Sequence, residues 1–208
     1  MIVDIAIPDT PTYVDVCLFA HTRYAEVLNA TISAAPDSFA YAHVDSHICG
    51  CLGLYLADRH EKLQLELYFP AAFETISGIE HIDRKQCGEL GTRAIKSPSS
   101  YRSADVSTAL AALIMLYANA KGIRYLGFTS NRTSVMLARS LDLHLVTLGK
   151  PDLSFVDASF RENWKNFFRI EQTCFGFQVA SVKNCLAALK NLDTAGIRAN
   201  LSAIHSSP

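Results

Sequence analysis

Two acidic residues of this chain occupy stretches where a charge is costly. Glu89 stands among small and apolar neighbours in Cys87-Gly88-Glu89-Leu90-Gly91, and Glu66 interrupts the alternation of Leu63, Leu65, Leu67 and Phe69. Alternation puts Glu66 on the face opposite the leucines, which is either a solvated side or a cleft. On neighbouring strands at a cleft, two such carboxylates suit an ammonium group: they hold it and accept its proton, one of them through a raised pKa. The plainer alternative is that each caps a loop or pairs with an arginine such as Arg93 or Arg102. A second chemical feature is the run Arg102-Ser103-Ala104 at the start of an apolar helical pattern. Arg102 supplies charge there, and Ser103 with the backbone N–H groups that follow suits a phosphate, although Asp105 in the same turn opposes one. Alternatively, Ser103 is an N-cap and Asp105 a first-turn acid matched to the helix dipole.

The elements that must position these residues form one central unit. Cys87 to Ile95 reads as an extended segment, residues 96–102 as a polar break, and Ser103 to Lys121 as a long helix ended by Gly122. Val106, Ala109, Leu110, Leu113, Leu116, Tyr117 and Ala120 recur at spacings of three and four, which gives the helix an apolar face. A buried-type strand, Ile123 to Thr129, and a helix start at Asn131 follow. Strand, loop, helix and parallel strand in that order aim the loop and helix N-terminus at one sheet edge.

Elsewhere, residues 1–11, with Pro8 and Pro11, read as an N-terminal arm or edge segment, Tyr13 to Phe19 as a first strand, and His21 to about Ser33 as a helix. Ser38 to Asp45 and Ile48 to Leu56 form a hairpin, Leu63 to Phe69 a third strand, and Pro70 opens a short helix, Ala71 to Ser77. Ser134 to Leu141 is expected as a helix, Leu143 to Leu148 as a strand, Thr173 to Ser181 as a last strand and Val182 to Leu192 as a last helix. The expected organisation is a single domain over residues 12–192 with a loose C-terminal tail, 193–208.

Composition narrows the function classes. The chain has 208 residues, half of them apolar, which suffices for a sizeable core. A net charge of −1 and the lack of any Lys/Arg run argue against a nucleic-acid surface. Among the six cysteines, Cys49-Gly50-Cys51 is too tight for a metal pair and has no second pair, so reduced, packed thiols are expected and no metal. The start Met1-Ile2-Val3-Asp4 shows no signal-peptide pattern, and the longest apolar run, Ala109 to Ala118, is too short to span a bilayer. A cytoplasmic location without a membrane span is the expectation.

The order of elements resembles the GNAT acyltransferase superfamily, and within it the thermostable hemolysin family, itself similar to acyl-homoserine-lactone (autoinducer) synthases. The matching stretches are Arg23-Tyr24-Ala25-Glu26, Gly50 to Ala57, Leu65-Glu66-Leu67-Tyr68-Phe69, Phe73-Glu74-Thr75-Ile76-Ser77 and Gly88-Glu89-Leu90-Gly91. They continue with Gly122 to Thr129, Leu141-Asp142-Leu143, and Trp164 with Phe167-Phe168, covering roughly residues 20–180. The resemblance implies an α/β (α+β) fold of three layers, with a mixed central sheet, splayed central strands and flanking helices. It implies an acyltransferase that moves an acyl group from acyl-CoA or an acyl carrier protein (acyl-phosphopantetheine) to a small amine or amino acid, with no permanently bound cofactor. Glu89 and Glu66 then handle the acceptor amine, Thr92, Arg93, Ala94 and Ile95 contact the pantetheine arm, and Arg102, Ser103 and Ala104 face its phosphate. Ser130 and Asn131 are further donor-side positions, or simply cap the next helix. Two departures favour the rival reading, a non-catalytic binding or interaction module: no glycine occurs between Gly91 and Gly122, and Ala138 stands near the place of the superfamily's acid tyrosine.

Overall fold

A computed structural model describes residues 1–130, 138, 140–168 and 172–205. Its frame is an eight-stranded mixed sheet in the order β6-β7-β5-β4-β3-β2-β1-β8. The strands are β1 (Ile2–Ala6), β2 (Ser38–Val44), β3 (His47–Leu56), β4 (Cys87–Ile95), β5 (Tyr125–Ser130), β6 (Val146–Gly149), β7 (Thr173–Gln178) and β8 (Arg198–Ala199). The helices are α1 (Pro11–Leu28), α2 (Gln64–Tyr68), α3 (Ala72–Ser77), α4 (Ser103–Ala120), α5 (Ala158–Asn163), α6 (Lys165–Phe168), α7 (Val182–Asp193) and α8 (Ser202–His205). The expected hairpin is β2–β3, turned by Asp45 and Ser46, whose φ values of 46° and 68° suit a tight two-residue turn. The expected central unit is β4–α4–β5, with β4 and β5 parallel.

Burial assigns the two faces. The helix α4 packs with α7 against alternate residues of the sheet, including Ala40, Ala42, Leu54, Leu90 and Leu126. On the opposite face α1 covers Phe39, Cys51 and Ala94, and α2 with α3 covers Cys87 and Cys174. Because α4 lies between sheet and helices, it is apolar nearly all round, as a core helix should be. Taken over Ser103–Ala120 it is long and apolar enough to cross a bilayer, which the shorter run Ala109 to Ala118 did not reveal, yet 67% of that window is buried in the fold.

Several expectations are corrected. Tyr13 to Phe19 is not a strand but part of α1, which starts at Pro11 and is capped by the Thr10 hydroxyl accepting from the Tyr13 N–H at 3.3 Å. Leu63 to Phe69 is not a strand either. Its alternation hides a single helical turn and a half, α2, whose buried residues Leu65, Glu66 and Tyr68 follow the helical period. Residues 2–6 of the expected arm form β1, paired on both sides, and the expected loose tail contributes β8 and α8. The strand expected at Leu143 to Leu148 begins later, at Val146. The helix expected over 134–141 lies outside the described residues, except for 138, 140 and 141.

Candidate active site

The two central strands part company at Glu89. They pair only as Cys87 with Tyr125, Gly88 with Leu126 and Glu89 with Gly127. Beyond that rung β4 stays with β3 as far as Ile95, while β5 stays with β7 as far as Ser130. The wedge between them opens a cavity of about 670 Å³. Leu90, Ile95, Phe128, Ala111 and Met115 give it an apolar wall, and all four expected contact positions, Thr92, Arg93, Ala94 and Ile95, line it. The β3–β4 register shifts between Cys51 and Gly53, so Thr92 sits on a bulge with φ of 47°, a conformation a β-branched residue seldom adopts. The Tyr55 hydroxyl, 2.5 Å from the Thr92 hydroxyl, helps to hold it. Among the described residues, β4 past Glu89 has no ladder partner on β5, so its wedge-side backbone edge is not committed to that strand.

At the apex lies Glu89, 5% exposed. Its Oε2 accepts from the Leu65 N–H at 3.0 Å, at the first turn of α2. Burial, with a smaller contribution from the Glu66 charge, pushes its pKa up to about 7, while the N–H groups of Leu65 and Gln64 restrain the rise. Gly127 opposite it makes room for Leu65: a Cβ there would lie 2.0 Å from Cδ2 of Leu65, so that side chain would have to shift. A buried carboxyl poised near neutrality at the head of an apolar cleft can exchange a proton with an amine.

A family model, thermostable hemolysin, matches residues 7–181. The chain belongs to the thermostable hemolysin family. Comparison with curated protein sequences finds no match. Among solved structures, this hemolysin-family chain is similar to the CoA-dependent acyl-homoserine lactone synthase BjaI with SAM and isopentyl-CoA, at 11% identity and a TM-score of 0.62, over 99% of this chain and 97% of that one. It is also similar to the acyl-homoserine lactone synthase LasI, at 12% identity and a TM-score of 0.60, over 91% and 93%. FeeM, an N-acyl amino acid synthase from uncultured soil microbes, gives 14% identity and a TM-score of 0.59 over 86% and 97%. These likenesses establish the GNAT-like fold for the hemolysin-family chain.

Other expected site residues of this family member are placed differently. Glu66 is not on a strand beside Glu89 and does not line the wedge. It accepts from the Leu63 N–H at 2.8 Å and pairs with Arg84, neither Arg93 nor Arg102. Arg84 also donates to the carbonyls of Ala57 and His60, so Glu66 ties α2 to the loop before β4 and faces a separate hollow of about 430 Å³. Arg102 is the N-cap position of α4, and its guanidinium grips Asp105 with two contacts of 2.7 Å. Neither Arg102 nor the exposed Ser103 and Ala104 is part of the wedge lining. Ser130 ends β5 opposite Thr173, and Asn131 lies outside the described residues. Sequence reasoning gave no site role to Arg23, Tyr24 or Tyr55, all of which line the wedge. The helix expected from His21 already puts Arg23, Tyr24, Val27 and Leu28 on one face, but no local pattern says that this face meets the wedge.

Proposed function

We propose that this chain is an acyltransferase that moves an acyl group from a pantetheine thioester to the amine of a small acceptor. The observation that carries the reading is the buried Glu89 carboxyl at the fork of β4 and β5, heading an apolar wedge. The named activities of the structural neighbours, two acyl-homoserine lactone synthases and an N-acyl amino acid synthase, accord with it.

In this reading the pantetheine arm runs along Thr92 to Ile95, pairing its amides with the backbone edge that β5 leaves free. An N–H of the bulge at Thr92 serves as the donor to the thioester carbonyl, where negative charge develops. Ionised Glu89 takes a proton from the attacking amine. As nitrogen bonds to the carbonyl carbon the C–S bond breaks, and the departing thiolate is protonated from Glu89 or solvent, leaving an amide and a thiol. Phe128, Met115 and Ala111 receive the acyl chain. The donor's phosphate falls to Arg93 rather than Arg102. Arg93 lines the wedge and donates to the Ser107 hydroxyl at 3.0 Å, with no carboxylate in ion-pair range among the described residues, whereas Arg102 is occupied by Asp105. A carrier protein presents one phosphodiester and coenzyme A several phosphates, so a site that offers the donor's phosphate Arg93 alone should use acyl carrier protein or a short pantetheine thioester at least as well as acyl-CoA.

The test is thiol release and product mass with one acyl group on coenzyme A, on a carrier and on pantetheine, against a pool of amines and amino acids. An N-acyl product with kcat/KM on the carrier at or above that on coenzyme A is expected. A clear preference for coenzyme A overturns the account of the phosphate, and no thiol release with any donor leaves the non-catalytic module as the reading.

A further inference from the structure

Five side-chain polar atoms among the described residues are buried without a hydrogen-bond partner: Arg23 Nε, Ser38 Oγ, Ser97 Oγ, Trp164 Nε1 and Gln172 Oε1. Buried polar groups are ordinarily satisfied, so each orphan calls for an explanation. Three of the five, those of Arg23, Trp164 and Gln172, belong to residues that line the wedge. They also lie toward the same end of it. The ring of Tyr24, next to Arg23 on α1, meets the Trp164 ring edge-on at 5.3 Å between centroids, and Trp164 meets Phe167 at 5.6 Å. The Gln172 amide is oriented by its own Nε2, which donates to the Phe167 carbonyl at 3.2 Å and leaves Oε1 as the unused acceptor. Asn163 fixes this aromatic segment to the end of α1 by exchanging hydrogen bonds with the Thr31 backbone, at 3.0 and 2.8 Å.

The charge of the lining points the same way. Arg23, Lys62 and Arg93 contribute cations, whereas Glu89 is the one carboxylate among the described lining residues and is held near neutrality. Glu26 pairs with Arg23 through Nη1 and from outside the wedge, which leaves Nε for a ligand. Two orphaned donors of which one is cationic, an orphaned acceptor, and an excess of positive charge match a ligand carrying a carboxylate and an N–H group.

We infer that the acceptor is an α-amino acid with an apolar side chain, its carboxylate received by Arg23 and Trp164 at the α1 end of the wedge. This rests on the acyltransferase reading above. The carboxylate answers the Arg23 and Trp164 donors, and an amine hydrogen answers Gln172 Oε1 while another faces Glu89. The apolar side chain lies among Val27, Ile32 and Phe160, which line the same cavity. A simple amine would leave both donors unpaired, and sites with unpaired buried polar groups reject ligands that lack the matching group.

The experiment compares leucine and phenylalanine with the corresponding amines that lack the carboxylate, isoamylamine and phenethylamine, using whichever thioester the protein accepts. The expected result is kcat/KM on the order of 100-fold higher for the amino acids. In Arg23→Gln, KM for leucine should rise about tenfold with a much smaller change in kcat, because a binding contact present in both ground and transition state is removed. Circular dichroism and thermal unfolding of the variant establish that it folds, and Trp164→Phe, which removes the indole N–H along with one of the two fused rings while keeping an aromatic side chain, gives a second reading of the same site. Amines acylated as well as amino acids overturn this inference while leaving the acyltransferase intact. Independently of turnover, calorimetric titration of the wild type with leucine and with isoamylamine separates the two failures: leucine binding alone supports the carboxylate site even if no thioester is used, and equal or no binding of both overturns it.

Discussion

Glu89 carries a cost that identifies it. A carboxyl that titrates at about 7 in the folded protein, against an ordinary value of 4.5, keeps its proton in the folded state through the interval between the two. The folded chain then binds more protons than the unfolded chain, so stability falls as pH rises from about 4.5 to about 7 and stays low above it. Glu89→Gln removes the ionisation and keeps an oxygen that can accept from the Leu65 N–H. The variant should be more stable than wild type by about 1–3 kcal/mol at pH 8, with the difference closing toward pH 4.5. Urea unfolding at the two pH values measures this, and coincident curves at pH 8 would mean that Glu89 ionises without penalty. Glu66 is the contrasting carboxylate. It is also buried, but Arg84 and the Leu63 N–H satisfy it, so the same residue type beside the same helix is held by partners within the fold. The sequence showed both acids in apolar surroundings and could not separate them, because the difference is a partner eighteen residues away in one case and a strand fork in the other.

At the level of elements, the fork and α2 depend on each other. Leu65 is fully buried over Gly127, and Ile76 of α3 occupies a matching notch at Gly176, where a Cβ would lie 2.0 Å from its Cγ1. Gly127→Ala should destabilise the protein by about 1–3 kcal/mol, as overpacking does, and should displace the Leu65 N–H from Glu89. Leu65→Ala alone should cost about 2–5 kcal/mol by leaving a void. The double variant should cost clearly less than the sum, since the smaller side chain makes room for the new methyl group; strict additivity would show that the two residues are not in contact. This coupling was invisible in the sequence because Leu63, Leu65, Leu67 and Phe69 alternate as a strand does. A helix of five residues is too short for its period to outweigh that pattern. The β4–α4–β5 unit was legible for the opposite reason: eighteen residues of α4 repeat the helical period and Gly122 ends it with φ of 78°.

On the scale of the whole molecule, the two chain ends complete the sheet. Arg198 and Asn200 donate backbone N–H groups to the carbonyls of Met1 and Val3 at 3.0 and 2.8 Å, and Ile197 is 1% exposed. Both ends read as an arm and a tail because Pro8 and Pro11 interrupt the first residues and the closing strand spans two residues. Their order comes from pairing across nearly the full chain length, which no local pattern encodes. Ending the chain after Asp193 should therefore lower stability by about 3 kcal/mol or more, from the lost burial of Ile197 and its neighbours and the uncovered edge of β1. An unchanged urea midpoint would restore the loose tail. A long stretch of chain also separates Trp164 from Arg23: each could be noticed in the sequence, but only folding puts them at one end of a wedge.

The central claim, that Glu89 acts as the base at the fork, is tested most directly by the pH dependence of kcat/KM for acyl transfer in the wild type and in Glu89→Gln. The account predicts a wild-type rate that climbs with pH through a pKa near 7 and levels above it, and a variant about 10²- to 10⁴-fold slower that lacks that limb. A variant with the wild-type rate and the same limb would contradict it.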